Sequence, residues 1–264
     1  MRRETVAKHP MQLRKLLVTG LKRTHLIGFA RNLRDAVSPA VRRQNRRMLA
    51  FYRQFFGPGD LVFDVGANVG NRTSIFLDLG ARVVAVEPQE ACARELRQKF
   101  GGRSDFVLVT AALSAAEGEG EIRISEESTV SSMASDWIDR VKTTGRFGDI
   151  DWRGVQKVRM TTLDAVIRSH GLPVFCKIDV EGYEPVVLKG LTQKIRAVSF
   201  EFTPEFFDGT ADSVRHLTSI GYERFNFSYG ESMELDASEW MDAGTILRRL
   251  DGMPSTVFGD VYAK

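Results

Sequence analysis

The chain has 264 residues, 43% of them hydrophobic and 27% charged, which suits one large α/β domain with an extension and excludes a disordered chain. Its net charge of +3 is unevenly spread: residues 1–58 hold 14 Lys and Arg against Glu4 and Asp35, and the remainder holds 23 against 32 acids, a basic arm on a mildly acidic body. Two cysteines, Cys92 and Cys176, exclude a disulfide framework or zinc knuckle. The apolar runs near the start (LLV, LIGFA) are too short for a membrane span of ~20 residues, and no signal-peptide core is visible, so a soluble cytoplasmic protein is expected.

Leu13, Leu16, Leu17, Leu21, Ile27, Leu33 and Val37 recur at roughly helical spacing with Arg and Lys between them. A second helix is expected over 40–56, with Val41, Met48, Leu49, Tyr52, Phe55 and Phe56 on one face, arginines on the other, and Gly57-Pro58-Gly59 as its stop. These form a basic helical extension over 1–58, followed by the main domain over 59–264. From Leu61 short β-branched runs alternate with helical patterns: LVFDV, then 71–80; RVVAVE, then 89–100; FVLVTAAL; VFCKIDV, then 184–190; AVSFEF, then 212–220. Strands apolar on both faces and separated by helices predict a parallel sheet covered on both sides. The segment 118–160 reads as a long excursion with one edge strand (GEIRIS), and its length suggests a lid or acceptor-binding loop. RFNFSY and TVFGDVYA close the pattern, with a short helix expected around 241–250.

LVFDVGANVGNRTSIF, residues 61–76, reads as strand, glycine turn and helix. In a doubly wound sheet a ligand sits at the carboxyl end of the strands, so this turn is the expected site. Gly66 and Gly70 would let the backbone turn and approach a ligand, and the helix starting near Asn71 would offer N–H groups to an anion. A dinucleotide fingerprint requires G-x-G-x-x-G, but the chain has Gly66, Asn68 and Asn71 in that frame. What remains is Asp64, Gly66, Ala67, Asn68 and Gly70, with an acid at the strand end. Asp64 repels phosphate and suits an ammonium group; S-adenosylmethionine carries one, with a carboxylate and no phosphate. Glu87 ends the second strand, 21 residues after Gly66, and is placed to accept from both ribose hydroxyls. That spacing also suits NAD but disfavours NADP, whose 2′-phosphate would face a carboxylate. Thr73 could bind the methionine carboxylate, and Ala111 and Ala112, at the end of the third strand, would lie along the adenine.

Together DVGANVG, VVAVEP, the SSM of 131–133, TTLDAVI, KIDVEGYEPVVLKG and GDVYAK resemble the FkbM-type methyltransferases over about residues 55–264. The resemblance implies an α/β class I methyltransferase (Rossmann-like) fold, with a seven-stranded sheet whose last strand is antiparallel. It also implies S-adenosylmethionine as cofactor and methyl transfer to a hydroxyl of a small molecule or glycan.

Methyl transfer is an in-line displacement helped by alignment and exclusion of water, and a hydroxyl acceptor needs a base within hydrogen-bond reach. Asp179 and Glu181 at the end of VFCKIDV are the candidates, Asp179 near the sulfonium or acceptor and Glu181 as base; Lys177 could pair with one of them. Glu201 ends the next strand and faces the same cleft. Asp179 and Glu201 could hold Mg²⁺, although strand-end carboxylates commonly lack metal, and no metal is assigned. Trp137, Trp152 and Phe147 are candidate acceptor covers, and none of the four histidines is placed for catalysis. The basic extension could pack on the body or touch a membrane surface. Nucleic acid is disfavoured because no RNA-binding signature accompanies the arginines. The rival functions are a nucleic-acid methyltransferase, a non-catalytic S-adenosylmethionine-binding module and, more weakly, a dehydrogenase.

Overall fold

The computed structural model describes residues 38–125, 131–143, 151–152, 154–254 and 257–264. The helix expected over 11–37 and the possible roles of that segment lie outside the described residues, as does Phe147. The chain divides into two compact units, Met1–Arg47 and Met48–Lys264. Within the first, Arg42, Arg43, Arg46 and Arg47 are exposed, and so is Val41.

The second unit begins inside helix α1 (Pro39–Tyr52), ahead of the Gly57-Pro58-Gly59 break that the sequence suggests as a boundary. The reason is aromatic packing. Phe51, Tyr52, Phe55 and Phe56 are buried, and the Phe55 ring stacks between Phe175 and Tyr262 at 5.1 and 5.3 Å. Each such ring removed from water contributes on the order of 1.5–3 kcal/mol, so the end of α1 is core.

Strand β1 (Leu61–Val65) leads through the glycine turn into α2 (Asn71–Asp78), followed by β2 (Arg82–Val86), α3 (Glu90–Phe100) and β3 (Phe106–Val109). The chain continues through β4 (Ala112–Leu113), β5 (Gly118–Ile124), α4 (Ser135–Thr143), β6 (Gly154–Thr161) and α5 (Leu163–His170). The last part comprises β7 (Phe175–Ile178), α6 (Glu184–Lys189), β8 (Ala197–Phe202), α7 (Phe207–Ser219), β9 (Phe225–Tyr229), α8 (Ala243–Leu250) and β10 (Gly259–Ala263). Seven strands form one sheet in the order β3-β2-β1-β7-β8-β10-β9. Only β10 in this sheet is antiparallel to its neighbours, as the sequence resemblance implies. The switch in connection direction falls between β1 and β7, so their carboxyl ends open the crevice where ligands bind in such sheets.

Alternation along the strands decides which side chains share a face. Phe63, Val65, Cys176, Ile178, Val198 and Phe200 pack with the helices α5 to α8. Val62, Phe175, Ala197 and Tyr262 pack on the opposite face with α1 and α2. By the same period of two, Asp64, Lys177, Glu201 and Asp260 lie on that second face.

Two expectations fail here. FVLVTAAL is not one strand: β3 closes the edge of the large sheet, while Ala112–Leu113 pairs in parallel with β6 in a separate sheet of order β4-β6-β5. The described residues of the excursion 118–160 are therefore largely regular structure. β6 pairs with β5 from Gly118↔Met160 to Ile124↔Gly154, around a small core of Ala112, Ile122 and Val158. Sequence periodicity missed β6 because only Val158 and Thr161 of its eight residues are buried, leaving only a weak apolar signal.

Candidate active site

A cavity of about 280 Å³ opens at the carboxyl ends of β1, β2, β7 and β8. Asp64, Gly66, Ala67, Asn68, Asn71, Glu87, Ala111 and Ala112 all line it, and so do Asp179, Glu181 and Glu201. Ala112 does so from the first residue of β4. Gly70 and Thr73 are not among the lining residues.

The glycine turn is built for packing as much as for ligand approach. Gly66 has φ 79°, and a Cβ there would stand 1.8 Å from the backbone oxygen of Asp179. The glycine thus allows the ends of β1 and β7 to touch. Gly70, with φ 87°, starts α2 and would collide with Phe100 and Leu96 if it carried a Cβ. Its freedom serves helix packing, which corrects its reading as a point of ligand approach. Asn68 adopts φ 49°, tolerable for Asn because its own Oδ1 accepts from the Val69 amide at 2.8 Å.

Asp64 is 2% exposed, and the Thr73 hydroxyl donates to its Oδ2 at 2.5 Å. Burial pushes the Asp64 carboxyl up to about 6, with Thr73 and Lys177 opposing. Thr73 is itself fully buried, so the expectation that it binds a ligand carboxylate is corrected: its hydroxyl is committed to Asp64. Glu87 accepts from the Asn68 amide on Oε2 at 2.8 Å and from the Gln89 amide on Oε1 at 2.7 Å. Each oxygen retains acceptor capacity. Burial pushes Glu87 up to about 7 despite these two amides. The small sheet fixes the Glu87 loop, since Gln156 on β6 donates to the Pro88 carbonyl at 2.8 Å and accepts from the Glu90 amide at 3.2 Å.

On the opposite wall, oxygens of Asp179, Glu181 and Glu201 lie within 4.8 Å of one another. Three carboxylates this close cannot all remain ionised cheaply. Burial first, then Glu181 and Asp179, raise the Glu201 carboxyl well above its ordinary value. The same spacing would admit a divalent cation. Lys177, 1% exposed, bridges Asp179 at 3.1 Å and Asp260 at 2.8 Å; burial alone would lower its pKa, but the two acids outweigh it. Glu184, the first residue of α6, takes the Val180 amide on Oε1 at 3.0 Å. Glu181 has φ 55°, and Ser132 donates to its backbone oxygen at 2.6 Å, so the SSM motif supports the acidic loop.

Trp137 and Trp152 do not cover the cavity. They form a small buried cluster with Ile138, and Trp137 packs so closely on Gly182 that a Cβ there would lie 2.2 Å from its ring. The long excursion contributes to the cavity through Ile122, Ser131 and Met133 instead. Sequence reasoning also missed Arg72 and Glu231. Both line the cavity and form an ion pair at 2.6 Å; no local pattern links residues so far apart in the chain.

The sheet order, switch-point cavity and strand-end acids define a class I methyltransferase fold. The description "Methyltransferase FkbM domain" matches residues 64–229, and the chain belongs to this family of methyltransferases. The chain is 26% identical over 143 residues to the hexuronic acid methyltransferase AglP of Haloferax volcanii, a match spanning 53% of this chain and 54% of that protein. Among solved structures, it is similar to a precorrin-6y C5,15-methyltransferase from Geobacter metallireducens, with TM-score 0.45, 11% identity and coverage of 86% and 89% of the two chains. It is also similar to a fibrillarin from Aeropyrum pernix with bound S-adenosylmethionine, with TM-score 0.44, 11% identity and coverage of 84% and 76%.

S-adenosylmethionine is the cofactor, and the lining fits it. Among the described residues six carboxylates, from Asp64, Glu87, Asp179, Glu181, Glu201 and Glu231, line the cavity beside one guanidinium, that of Arg72. Such a cavity attracts a sulfonium and an ammonium and repels a pyrophosphate.

Proposed function

We propose that the enzyme methylates a hydroxyl of a small molecule or of a sugar within a glycan. The observation that carries this reading is the convergence of Asp179, Glu181 and Glu201 within 4.8 Å beside the cavity. A hydroxyl must lose its proton to become a useful nucleophile, and a carboxylate is a suitable acceptor at hydrogen-bond range. Burial and the two neighbouring acids favour the protonated form of Glu201, which leaves Asp179 and Glu181 as acceptors. Glu181, which lines the cavity, takes the part of base, and Asp179, held by Lys177, that of orienting the acceptor beside the cofactor. Asp64, Glu87 and the amides of the glycine turn hold the cofactor's ammonium and ribose ends, while Ala111 and Ala112 flank its base. When bound, S-adenosylmethionine supplies an electrophilic methyl group. A sugar acceptor is supported by the partial likeness to a protein named hexuronic acid methyltransferase.

The test is mass spectrometry of product formed from labelled cofactor with neutral and uronic-acid glycosides. Glu181→Gln should lower kcat by 10²- to 10⁴-fold, the range of ~10²–10⁴ typical of a lost general base, with cofactor affinity retained. Undiminished turnover would remove Glu181 from the reaction. The trio's spacing also supports a second reading, a bound divalent cation. Loss of methylation in chelator with recovery on adding Mg²⁺ would favour that reading over a shared proton.

A further inference from the structure

Arg72 occupies the second position of α2, a helix whose first turn carries no side-chain cap. Its Nη1 donates to the Met48 sulfur at 2.7 Å, and its Nη2 alone carries both contacts to Glu231, 2.7 Å to Oε1 and 2.6 Å to Oε2. Nε is buried and has no hydrogen-bond partner among the described residues. Nε and Nη2 form one edge of the guanidinium fork, the edge that takes a carboxylate with two parallel bonds. Glu231 therefore fills only half of it. The Glu231 side chain is 56% exposed against 16% for Arg72, and an ion pair with so exposed a partner is weakly held. Both residues line the cofactor cavity, close to Asn71 at the start of α2.

The geometry points to Arg72 as the residue that grips the α-carboxylate of S-adenosylmethionine through its Nε–Nη2 edge, with Glu231 as a resident counterion that gives up the guanidinium when the cofactor enters. Among the described residues the cavity's other charged side chains are all acidic, so Arg72 is the side-chain cation they offer to the cofactor's carboxylate. Thr73, one residue on, is committed to Asp64. Glu231 neutralises Arg72 in the ligand-free protein, and its place at the cavity lining lets it move toward solvent without uncovering the core.

Calorimetry on the full chain with S-adenosylhomocysteine, and with methylthioadenosine, which lacks the amino-acid carboxylate, tests this. Arg72→Met should weaken S-adenosylhomocysteine binding on the order of 10- to 100-fold, the scale of a lost hydrogen-bonded charge, and leave methylthioadenosine within about twofold. Equal loss for both ligands, or no loss for either, overturns the assignment. Glu231→Gln keeps Arg72 and removes its competitor, so the homocysteine ligand should bind at least as tightly, by up to about fivefold for a surface pair. Weaker binding would make the pair a brace and sink the exchange; this variant decides the matter even if Arg72→Met fails to fold. The inference rests on the cofactor occupying this cavity. Failure of wild type to bind methylthioadenosine competitively with S-adenosylhomocysteine would count against that premise, separately from the role of Arg72.

Discussion

Cofactor affinity should fall as pH falls through neutrality, and Glu87 sets the midpoint. Its carboxylate already accepts two backbone amides, and a ribose diol would add two more donors. All of these interactions favour the ionised form. In the ligand-free protein burial pushes Glu87 up to about 7, so ionised carboxylate is only partly available at neutral pH. If the protonated form contributes no binding, the apparent dissociation constant rises by a factor of one plus the ratio of protonated to ionised Glu87. That predicts about an eightfold weakening between pH ~7.5 and ~6. Calorimetry with S-adenosylhomocysteine over this range measures the change. Asp64, pushed up to about 6, adds its own loss only toward the acid end. Glu87→Gln should bind more weakly at pH 8 and flatten the profile above pH 6. A wild-type affinity that does not change from pH 7.5 to 6, or a Gln variant with the same slope, would refute the reasoning.

Gly66→Ala should destabilise the protein by roughly 2–5 kcal/mol, from a left-handed residue gaining a Cβ and from overpacking, because the new atom meets the Asp179 backbone. Urea unfolding measures it; a change under about 0.5 kcal/mol would mean that β1 and β7 separate freely. Lys177→Met leaves Asp260 buried without its cation and should cost about 3–5 kcal/mol. Adding Asp260→Asn should recover part of that loss. A double variant no more stable than Lys177→Met would show that the pair does not carry the cost.

The β1 turn and the acids after β2, β7 and β8 are legible in the sequence because they obey local rules. A strand that ends in Asp64 and turns at Gly66 must present its acid at the sheet's edge, and a second strand ending in Glu87 must place that acid nearby. These placements need only the local strand-turn pattern and the pairing of two consecutive strands. The candidate catalytic acids are likewise readable one by one, since each follows a β-branched run. Their mutual distance was not, because it depends on how β7 and β8 pair and on the turn at Glu181.

Other features are decided only by tertiary contact. Thr73 looks like a helix-start threonine, and only the packing of α2 on β1 turns its hydroxyl to Asp64. Trp137 and Trp152 look like a lid in sequence, yet they are buried in a small cluster of their own, with Trp137 against Gly182. Most of all, Arg72 and Glu231 meet across the cavity from α2 and the turn after β9. Periodicity along a chain specifies which way each side chain faces within its own element; it carries no information on which distant element arrives opposite. That is settled when burial of the two sheet faces packs the whole sheet at once, and at this cavity it chose the partner of Arg72.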